Sequence, residues 1–129
     1  MTWDNVEGLH STTRKEIIVA ETYRSYKKNI YVVNRRVAGT LRHEFGHAVD
    51  KTYGDLSMTA RYLAAFSADR KAMSAIGRIE MDYLLQGGRQ SREETFAEIF
   101  CEIMGGGNES GAATYFPNVV QYLKTILGL

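Results

Sequence analysis

Two imidazoles four residues apart with a carboxylate between them occur once in the chain, as His43-Glu44-Phe45-Gly46-His47. Four residues make about one helical turn, so on a helix both rings project from one face and can share a tetrahedral zinc ion. Glu44 then lies about 100° round the helix from His43, where it reaches a metal-bound water rather than the metal itself. Zinc lowers the pKa of such a water toward about 7, and a carboxylate beside it can take the proton and pass it to a leaving amine. The competing reading, two histidines on a solvated helix face, fits poorly with a chain that has 3 histidines and spends two of them here. Asp50 continues the His43–His47 stripe at i+7. It reads equally as an acceptor that orients a ligand imidazole and as a solvated helix acid. Gly46 shares that face, where a missing side chain would let a second helix come close.

A catalytic zinc takes three protein ligands and keeps one position open. His10, the remaining histidine, sits in a polar N-terminal stretch, and no HxxGxxH continuation follows His47. The better source is the segment SREETFAEIFCEIM, where Glu94 and Glu98 stand one turn apart beside the small residues Ala97 and Cys101. Glu94 also reads as the capping-box partner of Ser91, and Glu98 as an ordinary helix acid. Spacing alone does not choose a ligand between them.

The residues LRHEFGHAVD (41–50) and GRQSREETFAEIF (88–100) resemble the metallopeptidase domain of anthrax lethal factor and its relatives, including the Pro-Pro endopeptidases. The shared pattern is HEFGHAVD, a helical stretch, then GR-x4-E-x3-E, and the resemblance covers roughly residues 30–129. It implies a zincin-like zinc peptidase with His43 and His47 as ligands, Glu44 as general base, Glu94 as third ligand and Glu98 as a supporting carboxylate. It also implies a bacterial source and a catalytic tyrosine seven residues before the ligand glutamate. Here that position is Gly87. Tyr83, four residues earlier, and the cationic Arg89 are the candidates to donate to the developing oxyanion.

The elements that must carry these groups follow from pattern. Val37 to Tyr53 is expected to be a helix with Leu41, Phe45, Ala48 or Val49, and Thr52 as its buried stripe. The β-branched clusters Lys15 to Glu21 (KEIIVAE) and Asn29 to Asn34 (NIYVVN) read as strands, the second a candidate edge for an extended peptide, with residues 1–13 irregular. A long helical stretch from Ser57 to about Leu85 should break near Asp69. Gln86-Gly87-Gly88 reads as a loop and Ser91 as the N-cap of the next helix, which dies at Gly105-Gly106-Gly107. Pro117 suits the first turn of a last helix reaching Leu127. Strands first and helices after predict an α+β fold, a single zincin-like domain over residues 1–129.

Composition is compatible with this. The chain has 129 residues, 44% of them apolar and 24% charged, enough for one core. A net charge of +1 gives no electrostatic case for nucleic acid or an acidic membrane surface. The lone Cys101 excludes an intrachain disulfide and reads as a small core residue. With neither a secretory apolar run nor a stretch of about 18 apolar residues, the expectation is a cytoplasmic protein with no membrane span. The leading expectation is thus a zinc-dependent endopeptidase acting on a peptide or protein substrate. The alternative is a zinc-binding interaction domain with little catalysis, motivated by Gly87.

Overall fold

The computed structural model describes residues 37–107 and 110–129 with their side chains, and four N-terminal strands by backbone alone. The strands are β1 (Gly8–Ser11), β2 (Glu16–Val19), β3 (Thr22–Ser25) and β4 (Ile30–Val33). They pair as two separate antiparallel ladders, β1 with β2 and β3 with β4. Six helices follow: α1 (Val37–Thr52), α2 (Ala60–Ala72), α3 (Ala75–Glu80), α4 (Gly88–Ile103), α5 (Ala112–Tyr115) and α6 (Pro117–Leu127). Short 3-10 turns at Leu56–Met58 and Asp82–Leu84 join α1 to α2 and α3 to α4.

This corrects the α+β expectation. Of the residues described with their side chains, 79% are helical and none is in a strand. The β-branched clusters do lie in extended segments, but among the described residues each strand pairs with one four-residue neighbour, and the part described with its side chains is built by helices. The expectations for residues 1–7, 12–15, 20, 21, 26–29 and 34–36, and for the side chain of His10, lie outside the described residues. No helix among the described residues is long and apolar enough to cross a membrane.

The core is aromatic. Tyr62 and Phe66 on α2, Phe96 and Ile99 on α4, Phe116, and Val119 and Leu123 on α6 are buried together. Tyr62 is its hub, with ring centroids 5.9 Å from Phe96 and 5.5 Å from Tyr122, while Phe66 stacks on Phe116 at 5.6 Å. A buried phenol needs a partner, and Tyr62 finds one by donating to the Arg92 carbonyl at 2.8 Å. The Tyr122 and Thr59 hydroxyls pair at 2.8 Å and tie the start of α2 to α6.

Asp69 is not a helix break. It is buried within α2, where its carboxylate accepts from the Asn118 and Val119 backbone N–H groups at 3.0 and 2.9 Å and from Asn118 Nδ2 at 2.7 Å. It therefore caps the N-terminus of α6 from another helix, satisfying donors that Pro117 at the first turn leaves open. The real break comes at Met73–Ser74, where the Ser74 hydroxyl caps α3 through the Gly77 N–H.

The buried stripe expected on α1 is also corrected. Leu41 and Phe45 are 47% and 51% exposed, and the buried positions are Gly39, Gly46 and Asp50. The face that packs is the one with the smallest side chains. It packs because α4 can then lie almost backbone to backbone on it.

Candidate metal centre

A methyl group at Gly46 would stand 3.0 Å from the Ala97 Cα and 3.1 Å from the Phe100 Cβ, so glycine at 46 is what lets α4 close onto α1. A second close approach lies one end further on. A methyl at Gly39 would overlap the backbone of Gly107, and Arg42 Nη1 donates to the Gly106 carbonyl at 3.0 Å. Gly105, Gly106 and Gly107 all have positive φ, which lets the chain after α4 turn back over the start of α1.

This packing brings the histidines of α1 to the carboxylates of α4. His47 Nε2 lies 3.0 Å from Glu94 Oε1, and His43 Nε2 lies 3.3 Å from Glu94 Oε2. The other nitrogen of His43, Nδ1, lies 3.2 Å from Glu98 Oε1. The rings of His43 and His47 stand edge to face with centroids 4.9 Å apart. One donor atom from each of His43, His47 and Glu94 falls within 4.8 Å of the other two. The two histidine–glutamate separations run to different oxygens of Glu94, and both are of the order of the roughly 3.3–3.4 Å between donors on a tetrahedral zinc. Two imidazoles and a carboxylate also form one of the donor sets typical of catalytic zinc. The residues fit the ion.

Electrostatics agree with a site of concentrated donor charge. Burial pulls the His43 imidazole down, but the hydrogen bonds to Glu94 and Glu98 outweigh it and raise its pKa to about 10. Burial pushes the Glu94 carboxyl up, yet the bonds from His43 and His47 hold it well below the usual carboxylate range. Without a metal these groups form a proton-bridged cluster between the two helices. Glu98 then acts on the far side of His43. An acceptor at Nδ1 keeps a proton there and leaves Nε2 as the nitrogen that faces Glu94.

The remaining candidates fall out unevenly. Glu44 sits between the two histidines on α1, partly buried. Asp50 is buried and both its oxygens are taken by Ser57, one by the backbone N–H at 2.7 Å and the other by the hydroxyl at 2.6 Å. It closes the turn after α1 rather than orienting an imidazole, so neither reading offered by sequence describes it. Tyr83 lies on the 3-10 turn before α4, half exposed. Its phenol is raised to about 12 by burial and by the Glu98 charge, with Glu102 and Glu94 adding to this and a bond with Ser110 opposing it. It is therefore a proton donor at neutral pH on the carboxylate side of the centre. Arg89 is committed elsewhere, its Nε on Glu93 at 2.6 Å and its Nη2 on Asp55 at 3.0 Å.

The start of α4 also differs from expectation. The helix begins at Gly88, with Gly87 as its N-cap at φ 89°, so Ser91 is a buried residue inside the helix and not its cap. Glu94 is thereby released from the capping-box reading and lies within the helix body. A positive φ at Gly87 disfavours any side chain at that position in this conformation. Two residues of the neighbourhood, Lys51 and Glu93, carried no signal in the sequence beyond ordinary helix charge. Comparison of the chain with protein-family models, with curated proteins and with solved structures gives no match.

Proposed function

We propose that the chain is a zinc-dependent peptidase in which His43, His47 and Glu94 hold the metal and Glu44 is the general base. The observation that carries this reading is the convergence of donor atoms from His43, His47 and Glu94, on two helices, to within 4.8 Å of one another, a donor set typical of catalytic zinc. Bound zinc supplies an acidified water and polarises a substrate carbonyl. Glu44, one position after His43, takes the proton from that water and delivers it to the departing amine. Glu98 holds the Nδ1 proton of His43, which keeps the ligand ring in one tautomer and one orientation. Tyr83, protonated at neutral pH, is the side chain suited to donate to the carbonyl oxygen as it gains charge. The likeness of LRHEFGHAVD and GRQSREETFAEIF to lethal factor-type peptidases supports the same assignment of roles.

A second reading, a zinc-binding interaction domain with little catalysis, is favoured by Gly87, whose left-handed backbone replaces the tyrosine that the resemblance calls for. Both readings require bound zinc, so hydrolysis separates them. The test is Glu44→Gln assayed on a diverse peptide library beside the parent. The expected result is cleavage by the parent and a loss of about 10²-fold or more in the variant, with zinc content unchanged. Equal cleavage by both proteins would remove Glu44 from the mechanism. A parent that cleaves nothing at high concentration would leave the binding domain as the function.

A further inference from the structure

Beside the metal centre lies a closed ring of four charged side chains. Lys51 Nζ is 2.9 Å from Glu93 Oε1 and 3.0 Å from Asp55 Oδ1. Arg89 closes the circuit on the same two carboxylates, 2.6 Å from Glu93 and 3.0 Å from Asp55. Each cation touches both anions, so the ring is neutral as a whole. Lys51 and Glu93 are the inner pair, with most of their side-chain surface covered. Asp55 is the only residue other than glycine with positive φ among the described residues, and this backbone conformation is part of how its carboxylate meets Lys51 and Arg89.

The placement of the ring along the two helices gives it a purpose. Lys51 follows His47 by one turn on α1, and Glu93 immediately precedes Glu94 on α4. Neighbouring residues on a helix point about 100° apart, and residues four apart lie about 6 Å along its axis. The pairs Glu94–His47 and Glu93–Lys51 are therefore two separate contacts between the same helices, offset both around α4 and along α1. The His43–Glu98 and Arg42–Gly106 contacts lie toward the start of α1, so the Lys51–Glu93 pair is the polar fastening at its far end. Between these ends the helices meet at Gly46, which lies against Ala97 and the Phe100 side chain.

Building on the zinc reading, we propose that Lys51 and Glu93, completed by Asp55 and Arg89, are positioning residues that set the rotation and height of α4 so that Glu94 meets the metal. They act through Glu94 and do not touch the ion. An ion pair near a metal site also acts through space, and the two effects predict different signs. Removing Lys51 leaves an excess negative charge and would tighten cation binding through space, whereas removing Glu93 would weaken it. Loss of positioning weakens it in both cases.

The experiment measures Zn2+ affinity by competition with a chromophoric chelator, for the parent, Lys51→Met and Glu93→Gln, at a temperature far below their unfolding midpoints. Positioning predicts that both variants bind zinc about three- to tenfold more weakly, and that Lys51→Arg stays within about twofold of the parent. A tightening in Lys51→Met, or affinities equal to the parent in both variants, would overturn the proposal while leaving the zinc centre intact. A parent that binds no zinc would overturn the underlying reading and this inference with it.

Discussion

Zinc binding to the metal-free protein should be coupled to proton release, and His43 sets the size of the effect. In the metal-free cluster His43 faces Glu94 through Nε2 and Glu98 through Nδ1, and its pKa is about 10. At pH 7 the ring is therefore protonated on both nitrogens. On the proposed reading the Nε2 proton stands where the metal would bind and would have to leave, while the Nδ1 proton remains on the Glu98 side. Three pH units at 1.36 kcal/mol each make this a cost of about 4 kcal/mol in apparent affinity at pH 7, falling away as the pH approaches about 10. The logarithm of the association constant should climb by about one per pH unit between pH 7 and 9.

Titration calorimetry in two buffers of equal pH and different ionisation heats counts the protons directly, and about one per zinc from His43 is expected at pH 8. Stability of the metal-free protein should move the other way. The folded pKa of His43 lies above its unfolded value, so its contribution is complete below about pH 6.5 and is lost as the pH rises through about 10. A zinc affinity that stays flat from pH 7 to 9, with no proton released at pH 8, would refute the double-carboxylate account of His43.

Other outcomes follow from single contacts. Tyr83→Phe should lower kcat by about 10²- to 10³-fold with zinc content unchanged, measured on any peptide the parent cleaves. An unaltered kcat would exclude the phenol as donor. Asp69→Ala removes the acceptor for three hydrogen bonds at the start of α6 and should cost about 2–4 kcal/mol in a urea titration. A loss below about 1 kcal/mol would count against the cross-helix cap. Gly39→Ala forces a methyl into the Gly107 backbone and should cost about 1–2 kcal/mol despite alanine's better helix propensity. An unchanged urea midpoint would show that the two segments are further apart than described.

How far the sequence could be read depended on whether a signal resided in side chains or in backbone. α1 was legible at both ends because apolar spacing and the Gly54-Asp55 stop bracket it, and α6 because proline marks its first turn. The His43–His47 pair was legible because helical spacing is enough to bring two rings together. The start of α4 was not. Its cap is a pair of glycines with positive φ, which read as a loop, while Ser91 offers a cap signal it does not use. Asp69 interrupts an apolar pattern and so looks like a break, though its role lies 49 residues away at Asn118. The buried face of α1 was missed because hydrophobic periodicity rewards large residues, whereas this contact selects small ones. The fold class failed for a different reason. β-branched clusters report extended backbone but not how many strands assemble, and here each finds one partner. Glu94 could be named as a ligand only by resemblance, since the partner of α1 is a matter of tertiary packing.

The meeting of Gly39 with Gly107 bears on how an ion would be received. It joins the first turn of α1 to the chain leaving α4, while the Lys51–Glu93 pair joins the last turn of α1 to the early turns of α4. The histidines and Glu94 lie between these two fastenings, like a clasp pinned at both ends. Such a frame holds the proposed donor atoms facing one another before any cation arrives. On the proposed zinc reading, loading would exchange a proton for a metal within a standing scaffold. Chelation should strip the ion and leave the helices assembled, in contrast to small domains whose ligands come together only around the metal.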